Sequence, residues 1–320
     1  MERIQIEELK EKKNAKISGF IEKVRDTKYM VFIILKDITG KIQVSIDKEK
    51  NADLVNDALK LVPGSIASFK GQMQVNPAVK AGGKEFIPTT LVIESLADPS
   101  PIDEETSIDQ KLNYRWLDLR SDRNQLIFRF QSCFVDALRE YLIKNKFIEL
   151  HTPKLIATAS ESGSEVFEVK YFDGKAYLAQ SPQFYKQMAM ASGLERYFEI
   201  GPCFRAEKSH TKKHATEFTS FDVEFSYIDS FQDVMDLEAE MLTYALKKVK
   251  EEFGEKAKEI FGVEINVPKL PFPQMKLADI YDELEKRYGF KVDDSEKVDL
   301  TTEAERLCEK LANRNCRKRR

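Results

Sequence analysis

The sequence lacks any long apolar run. No stretch of about 18 apolar residues occurs among its 320 residues, which is the length a membrane-spanning helix needs. The N-terminus, "MERIQIEELKEKK", also lacks the apolar core of a secretory signal. We therefore expect a cytoplasmic protein that is neither inserted into a membrane nor exported.

Clustered cysteines and a strong net charge are also missing. The four cysteines show no C-x-x-C spacing, which argues against both a zinc site and a disulfide framework. The 51 Lys and Arg nearly balance the 54 Asp and Glu, for a formal net charge of -3. Nucleic-acid binding, if it occurs, must then be local rather than spread over the whole surface.

Residues 1–100 read as a small β-barrel. Five short segments with strand character are separated by turn signals such as "ITGK" and "VPGS". A helical segment, "NADLVNDALKL", lies between the third and fourth strands, where an OB-fold places its helix. The strand count alone does not exclude a small β-sandwich. Residues 101–123 are charged and contain little apolar periodicity, so we interpret them as a hinge or linker.

Residues 124–320 alternate helices with extended segments, which indicates an α+β domain around an antiparallel sheet. The segment "LIFRFQSCFVDALREYLIKNKF" has the apolar spacing of a long amphipathic helix. In "SPQFYKQMAMASG" we predict a helix with Ser181 as its N-cap, Pro182 at its first position and Gly193 just past its end. The helix that begins at "FQDVMD" is predicted to end on Gly254.

The stretch "FRAEKSHTKKHATEFTSFDVEF", residues 204–225, reads as the end of one strand, a basic loop and a returning strand. Alternation predicts one apolar face and one polar face. The polar face carries Arg205, Glu207 and Phe218. A solvated hairpin is the simpler interpretation, but a basic loop suits phosphates and an aromatic ring on the polar face suits base stacking.

Lys186 is an oddity of the predicted helix at 182. It lies near Gln183 on one face of the first turn, where a cation opposes the helix dipole unless an anion compensates. A substrate carboxylate could be that anion. A lysine that extends to solvent would explain the position almost as well.

These residues resemble a known family. The stretch at 204–225 is similar to motif 2 of the class II aminoacyl-tRNA synthetases, and "KNKFIELHTPKLI" is similar to their motif 1, with Pro153 as its proline. The N-terminal barrel adds a resemblance to the subgroup for aspartate, asparagine and lysine. The segments "TASESGSEVF" and "LAQSPQFYKQ" resemble the aspartyl enzymes, and more the archaeal and eukaryotic type than the bacterial one.

The resemblance implies an ATP-dependent aspartate–tRNA ligase that forms aspartyl-adenylate and transfers the acyl group to the 3′ end of tRNA. Arg205 would contact the α-phosphate as the catalytic cation, and Phe218 would stack on adenine. Glu207 and His214 would complete the ATP site. Magnesium would bridge the phosphates.

For the other ligands, the resemblance implies that Glu161 binds the amino group of aspartate. Gln183 and Lys186 would orient its carboxylates. Phe32 and Gln43 in the barrel would read an anticodon base, although a core position is the simpler interpretation of Phe32. The partners implied are tRNA for aspartate, with tRNA for asparagine left open, and a second copy in a homodimer.

The Gly-rich motif 3 of the family has no counterpart in the sequence, which ends in "CEKLANRNCRKRR". We therefore expect an incomplete catalytic domain that contains motifs 1 and 2 only, with magnesium ligands and a γ-phosphate arginine that the sequence does not supply. An inactive fragment or paralogue that keeps anticodon binding is one alternative function. An asparagine–tRNA ligase is a lesser one.

Overall fold

The computed structural model describes residues 2–79, 82–160, 166–206, 215–293 and 297–317, the last six by their backbone alone. The chain divides into two compact units, Met1–Asn124 and Gln125–Arg320. Among the helices of the described residues, none is both long and apolar enough to cross a membrane.

The first unit contains a closed five-stranded barrel with the strand order β1-β2-β3-β5-β4. A one-turn 3-10 helix, Ile6–Glu8, precedes it. Its strands and one helix, in chain order, are β1 (Asn14–Asp26), β2 (Met30–Lys36), β3 (Lys41–Asp47), α1 (Ala52–Ala58), β4 (Ile66–Val75) and β5 (Lys84–Ser95). The predicted OB-fold is confirmed, with its helix between the third and fourth strands. Closure removes the free edges of the sheet.

The barrel core consists of alternating residues of its strands. In β2 the fully buried residues are Val31, Ile33 and Leu35, and the residues between them face outward. Strand β1 changes this alternation, because a register shift between Ile21 and Lys23 inserts one residue. Beyond the bulge, Val24 packs on the core and Arg25 faces outward beside Phe32.

The segment that follows the barrel contains two short helices, α2 (Ile108–Asn113) and α3 (Arg115–Asp118). It includes the predicted hinge, 101–123, which lies within the first compact unit. Lys36 of β2 is buried and donates to the carbonyl oxygen of Arg120 at 2.7 Å. This segment is therefore attached to the barrel by a buried polar contact.

The second unit combines long helices with two three-stranded sheets, of strand order β11-β10-β6 and β7-β9-β8. Its elements, in chain order, are α4 (Asp122–Lys144), β6 (Ile148–Glu149), β7 (Leu155–Ile156), β8 (Glu168–Tyr171), β9 (Gly174–Leu178), α5 (Gln183–Ala191), β10 (Arg196–Phe204), β11 (Glu217–Phe225), α6 (Phe231–Phe261), α7 (Leu277–Tyr288) and α8 (Thr302–Arg317). Helices α4 and α6 pack against the apolar face of the β10–β11 hairpin.

Two predicted helix ends differ from the structure. Pro182, not Ser181, is the N-cap of α5, and the Ser181 hydroxyl accepts a hydrogen bond from the Gln183 N–H at 3.3 Å. Gly193 follows the helix with φ +87°, as a glycine at a helix end should. Helix α6 continues through Gly254 to Phe261 and ends at Gly262, because its last turns pack Phe253 and Phe261 around Phe130.

Gly19 of β1 allows a close backbone approach within the barrel. A Cβ atom there would lie 2.1 Å from the carbonyl oxygen of Lys36, whereas a Cβ at Gly40 would meet nothing within 4 Å. We expect Gly19→Ala to destabilise the first unit by about 2 kcal/mol. Gly40→Ala should change its stability by less than about 0.5 kcal/mol.

Urea denaturation followed by tryptophan fluorescence measures this difference, because the chain has a single tryptophan, Trp116, which lies in the first unit. Equal unfolding midpoints for the two variants would contradict the close approach.

Candidate functional site

The β10–β11 hairpin has the two faces that alternation predicts. Its register pairs Phe198 with Val223 and Ile200 with Phe221 on the face covered by α4 and α6. The opposite face pairs Glu199 with Asp222, Gly201 with Ser220, and Cys203 with Phe218. The polar face therefore presents a row of functional groups along both strands, and helix α5 lies against the same hairpin.

Arg205 and Phe218 meet at the loop end of this face. The Arg205 N–H donates to the Thr216 carbonyl oxygen at 2.9 Å, and its guanidinium lies 5.4 Å from the centre of the Phe218 ring. Within the described part of the chain, the buried Nε of Arg205 has no hydrogen-bond partner. A buried donor without a partner is costly, so this geometry suits an anion that accepts from Arg205.

Lys186 lies at the other end of the polar face. Its Nζ is 3.6 Å from Asp222 and 3.4 Å from Glu224, and only 16% of its side chain is exposed. The protein itself thus supplies anions that compensate the cation in α5, and the lysine does not extend to solvent. Gln183 lies one turn earlier and is partly buried, on the same side of α5 as Lys186.

Asp222 and Glu224 are further functional candidates, because they have the same parity in β11 as Phe218 and lie on the polar face. Asp222 also accepts a hydrogen bond from the Ser220 hydroxyl at 2.6 Å, which fixes its orientation. Asp222 lies four positions after Phe218 along β11, which corresponds to a distance of about 13 Å. One strand therefore positions both the aromatic end and the lysine end of the candidate site.

The polar face also contains a buried carboxylate, Glu199. Glu199 is 2% exposed and accepts from the Thr152 N–H and hydroxyl at 2.9 and 2.8 Å, from Lys154 at 2.7 Å and from the Tyr197 hydroxyl at 2.6 Å. Burial opposes its ionisation, but these hydrogen bonds outweigh burial and hold the pKa of Glu199 below its ordinary value. The carboxylate is a fixed negative charge opposite Asp222.

The remaining predicted residues of this site lie outside the described residues. These are Glu161, Glu207 and His214. The residue before Glu161 is firmly held, because the buried Ser160 N–H donates to the side chain of buried Gln180 at 3.1 Å. The Ser160 hydroxyl in turn accepts from the Ser181 N–H at 3.3 Å. This connects the segment at 160 to the start of α5.

The described residues do not supply a magnesium site. Among them, no group of three or more His, Cys, Asp or Glu side chains is placed to hold a metal ion. The carboxylates of the polar face are paired with lysines instead.

The barrel carries a separate candidate site on its outer surface. Phe32 is partly exposed and lies outside the barrel core, with the Arg25 guanidinium 4.7 Å from its ring centre. Gln43 donates to the Ser45 hydroxyl at 3.2 Å, and Ser45 donates to Glu85 at 2.6 Å. An aromatic ring, a cation and amide and hydroxyl groups thus share one face, as single-stranded nucleic acids require.

The chain matches two protein families over almost its whole length. Residues 15–96 match the family described as OB-fold nucleic acid binding domain. Residues 107–317 match the family described as tRNA synthetases class II (D, K and N).

Similar proteins come from archaea and protists. An aspartate–tRNA(Asp/Asn) ligase from Aeropyrum pernix is 38% identical over 91% of this chain and 66% of its own length. An aspartate–tRNA(Asp) ligase from Pyrococcus abyssi is 39% identical over 97% of this chain and 70% of its own length. This chain therefore spans about two thirds of such relatives.

Solved structures share the fold. An asparaginyl-tRNA synthetase from Pyrococcus horikoshii with asparaginyl-adenylate superposes with a TM-score of 0.86 at 28% identity, over 96% of this chain and 71% of that one. An aspartyl-tRNA synthetase from Entamoeba histolytica has a TM-score of 0.78, also at 28% identity, over 95% of this chain and 66% of that one.

Glu199 generates a prediction about acid stability. Because its pKa is lowered on folding, its contribution is complete above the unfolded pKa of about 4.3 and is lost as pH falls through the lower folded pKa. We expect Glu199→Gln to destabilise the second unit by about 3 kcal/mol at pH 7, since it leaves the partly buried Lys154 without its counter-charge. This loss should shrink below pH 4.

Differential scanning calorimetry at pH 7 and at acidic pH tests this prediction. The fluorescence of Trp116 identifies the unfolding transition of the first unit. The matched control is Glu168→Gln, whose exposed ion pair with Lys175 should contribute little to stability. If the two variants lose equal stability, Glu199 does not have the assigned role.

Proposed function

Because the chain belongs to the class II tRNA synthetases of the D, K and N group, we propose that it is an aspartate–tRNA ligase. The observation that carries this proposal is Lys186, which is largely buried and held by Asp222 and Glu224 on the polar face of the hairpin. A fixed ammonium group matches the side-chain carboxylate of aspartate and gives no comparable pairing to the neutral amide of asparagine.

The similar proteins support this choice of amino acid. Relatives that are 38–39% identical over most of the chain are named aspartate ligases, whereas the asparaginyl enzyme with the TM-score of 0.86 is 28% identical. Backbone similarity reflects the fold that both enzymes share, and it does not distinguish aspartate from asparagine as the substrate. Both Asp and Asp/Asn specificities for tRNA occur among the named relatives.

In the first step, the α-carboxylate of aspartate attacks the α-phosphorus of ATP and pyrophosphate leaves. The nucleophile is already charged, so no general base is required. We assign to Arg205 the stabilisation of the charge that grows on the α-phosphate oxygens. Its buried Nε, which has no hydrogen-bond partner among the described residues, is a donor for such an oxygen. Phe218 would stack on adenine.

In the second step, a terminal ribose hydroxyl of tRNA attacks the acyl carbon and AMP leaves. We assign Gln183, Lys186 and Glu161 to aspartate, and Glu207 and His214 to the ATP site, on their motif positions. Magnesium would accompany ATP, as is usual for nucleotide substrates.

We propose that the outer face of the barrel binds the anticodon loop. Phe32, backed by the Arg25 guanidinium, offers a ring on which a base can stack. Gln43 can exchange its hydrogen bond with Ser45 for one to a base edge. We also propose a homodimer through motif 1, in which Ile148 and Leu155 are each 44% exposed.

Removal of the Lys186 charge tests the choice of substrate. We expect Lys186→Met to weaken binding of a non-hydrolysable aspartyl-adenylate analogue by at least about 100-fold, since a buried charge pair is lost. ATP affinity should change by less than about twofold. Isothermal titration calorimetry measures both affinities, and the exposed Lys256 provides the control, Lys256→Met.

If Lys186→Met weakens the binding of the adenylate analogue and of ATP equally, Lys186 does not bind the substrate carboxylate. Tighter binding of the asparaginyl analogue by the wild-type chain would favour the asparagine–tRNA ligase. Aspartate-dependent exchange of pyrophosphate into ATP by the purified chain would exclude the inactive fragment or paralogue.

Phe32 provides the test of anticodon binding. We expect Phe32→Ala to lower the affinity for tRNA by about tenfold or more, because stacking of a base on an aromatic ring contributes about 1–3 kcal/mol. Binding of the adenylate analogue should be unchanged. Fluorescence anisotropy with labelled tRNA measures the first quantity, with Tyr29→Ala as a control on an exposed aromatic residue. Unchanged tRNA affinity would reject the assignment.

A further inference from the structure

A cavity of about 270 Å³ lies at the end of the hairpin away from Arg205. It is lined by the end of α4, the start of β10, the end of β11 and the first turns of α6. We call it the acidic pocket, because four carboxylates line it: Asp229, Asp233, Asp236 and Glu240. The proposed ligase chemistry uses none of these residues.

The carboxylates of the acidic pocket are oriented but not neutralised. Tyr141 donates to Glu240 at 2.6 Å, and Gln232 donates to Asp236 at 2.8 Å. Asp233 accepts from backbone N–H groups as part of a capping box. In the described part of the chain, none of the four carboxylates takes part in an ion pair.

Arg196 also lines the pocket, and its guanidinium contacts aromatic rings and a carbonyl oxygen. Its guanidinium packs on the rings of Phe147 and Phe225, at 5.3 and 6.0 Å from their centres. It also donates to the Asn145 carbonyl oxygen at 3.3 Å. Four carboxylates and one cation leave the pocket with a net negative charge.

Exposed apolar side chains adjoin the acidic pocket. Tyr227 is 90% exposed and Phe231 is 75% exposed, and Ile228, Val234 and Met235 are exposed nearby on the loop and first turns of α6. Tyr227 also has a φ of +58°, a conformation that is uncommon for a tyrosine. Several exposed apolar side chains beside a pocket are typical of a protein interaction site.

We propose that the acidic pocket and its apolar rim form a docking surface for a cationic amphipathic segment of a partner protein. Lysine or arginine side chains of the segment would enter the pocket and pair with the carboxylates. Its apolar residues would cover Tyr227 and Phe231. This interaction does not depend on the proposed ligase activity.

Charge argues against two other occupants. Four uncompensated carboxylates repel the phosphate backbone of an RNA. A second copy of this chain in a two-fold interface would place the same negative patch against itself. A basic partner is the occupant that both the charge and the apolar rim favour.

A labelled amphipathic peptide of lysine and leucine provides the probe, measured by fluorescence anisotropy with the full chain. We expect Asp229→Lys with Asp236→Lys to weaken binding by at least about tenfold. The matched control, Glu238→Lys with Glu255→Lys, changes the net charge equally at exposed positions outside the pocket, and should weaken binding by less than about twofold.

Phe231→Ser provides an independent variant that keeps the charges, and we expect it to weaken binding of the peptide by about fivefold. A scrambled peptide of the same composition should bind both forms equally weakly. The proposal is overturned if the pocket variant and the control weaken binding equally, or if Phe231→Ser has no effect.

The other occupants are tested with the same variants. A loss of tRNA affinity in the Asp229→Lys, Asp236→Lys variant, measured against the control, would show that the surface binds RNA and would overturn the proposal. Sedimentation equilibrium of the wild type and of Phe231→Ser would overturn it if a wild-type dimer dissociates in the variant. Unchanged tRNA affinity and unchanged mass are the expected results.

Discussion

The strict alternation of side chains in β10 and β11 is the constraint on which the candidate site of the second unit depends. Every second residue of the pair enters the core formed with α4 and α6, so the residues between them must face the opposite side. A slip of one residue would place Phe198 and Val223 on the polar face and Glu199 and Asp222 in the core. The burial of phenylalanine and valine therefore holds the charged groups of the site in register.

This register creates an electrostatic conflict that two lysines resolve. Glu199 and Asp222 are cross-strand partners, and like charges placed directly opposite each other destabilise a sheet. Lys154 pairs with Glu199 at 2.7 Å, and Lys186 pairs with Asp222 at 3.6 Å. Each carboxylate thus has its own cation, one from the segment before β7 and one from α5. A substrate carboxylate that binds Lys186 would enter an array whose charges are already ordered.

The sequence was informative wherever a local pattern decides the structure. Alternation correctly separated Phe218 from Phe221, and the helix between the third and fourth strands indicated the OB-fold. Contacts between segments that are distant in the sequence could not be predicted from local patterns. Arg25 has the same parity as the buried Ile21, and only the bulge after Ile21 turns it outward. Helix α6 passes Gly254 because Phe130, more than a hundred residues earlier, packs on its last turns. The role of Asp222 depends on its contact with Lys186 of α5, which the strand pattern alone does not indicate.

The two ends of the hairpin carry opposite uncompensated charges. At the loop end, Arg205 has a buried donor without a partner in the described residues. At the other end, nine residues back along β10 and about 30 Å away, four carboxylates and one arginine line the acidic pocket. An anion is stabilised at the first end and a cation at the second, so one ligand cannot satisfy both. The two proposed ligands, a nucleotide at Arg205 and a basic segment at the acidic pocket, match this difference in charge.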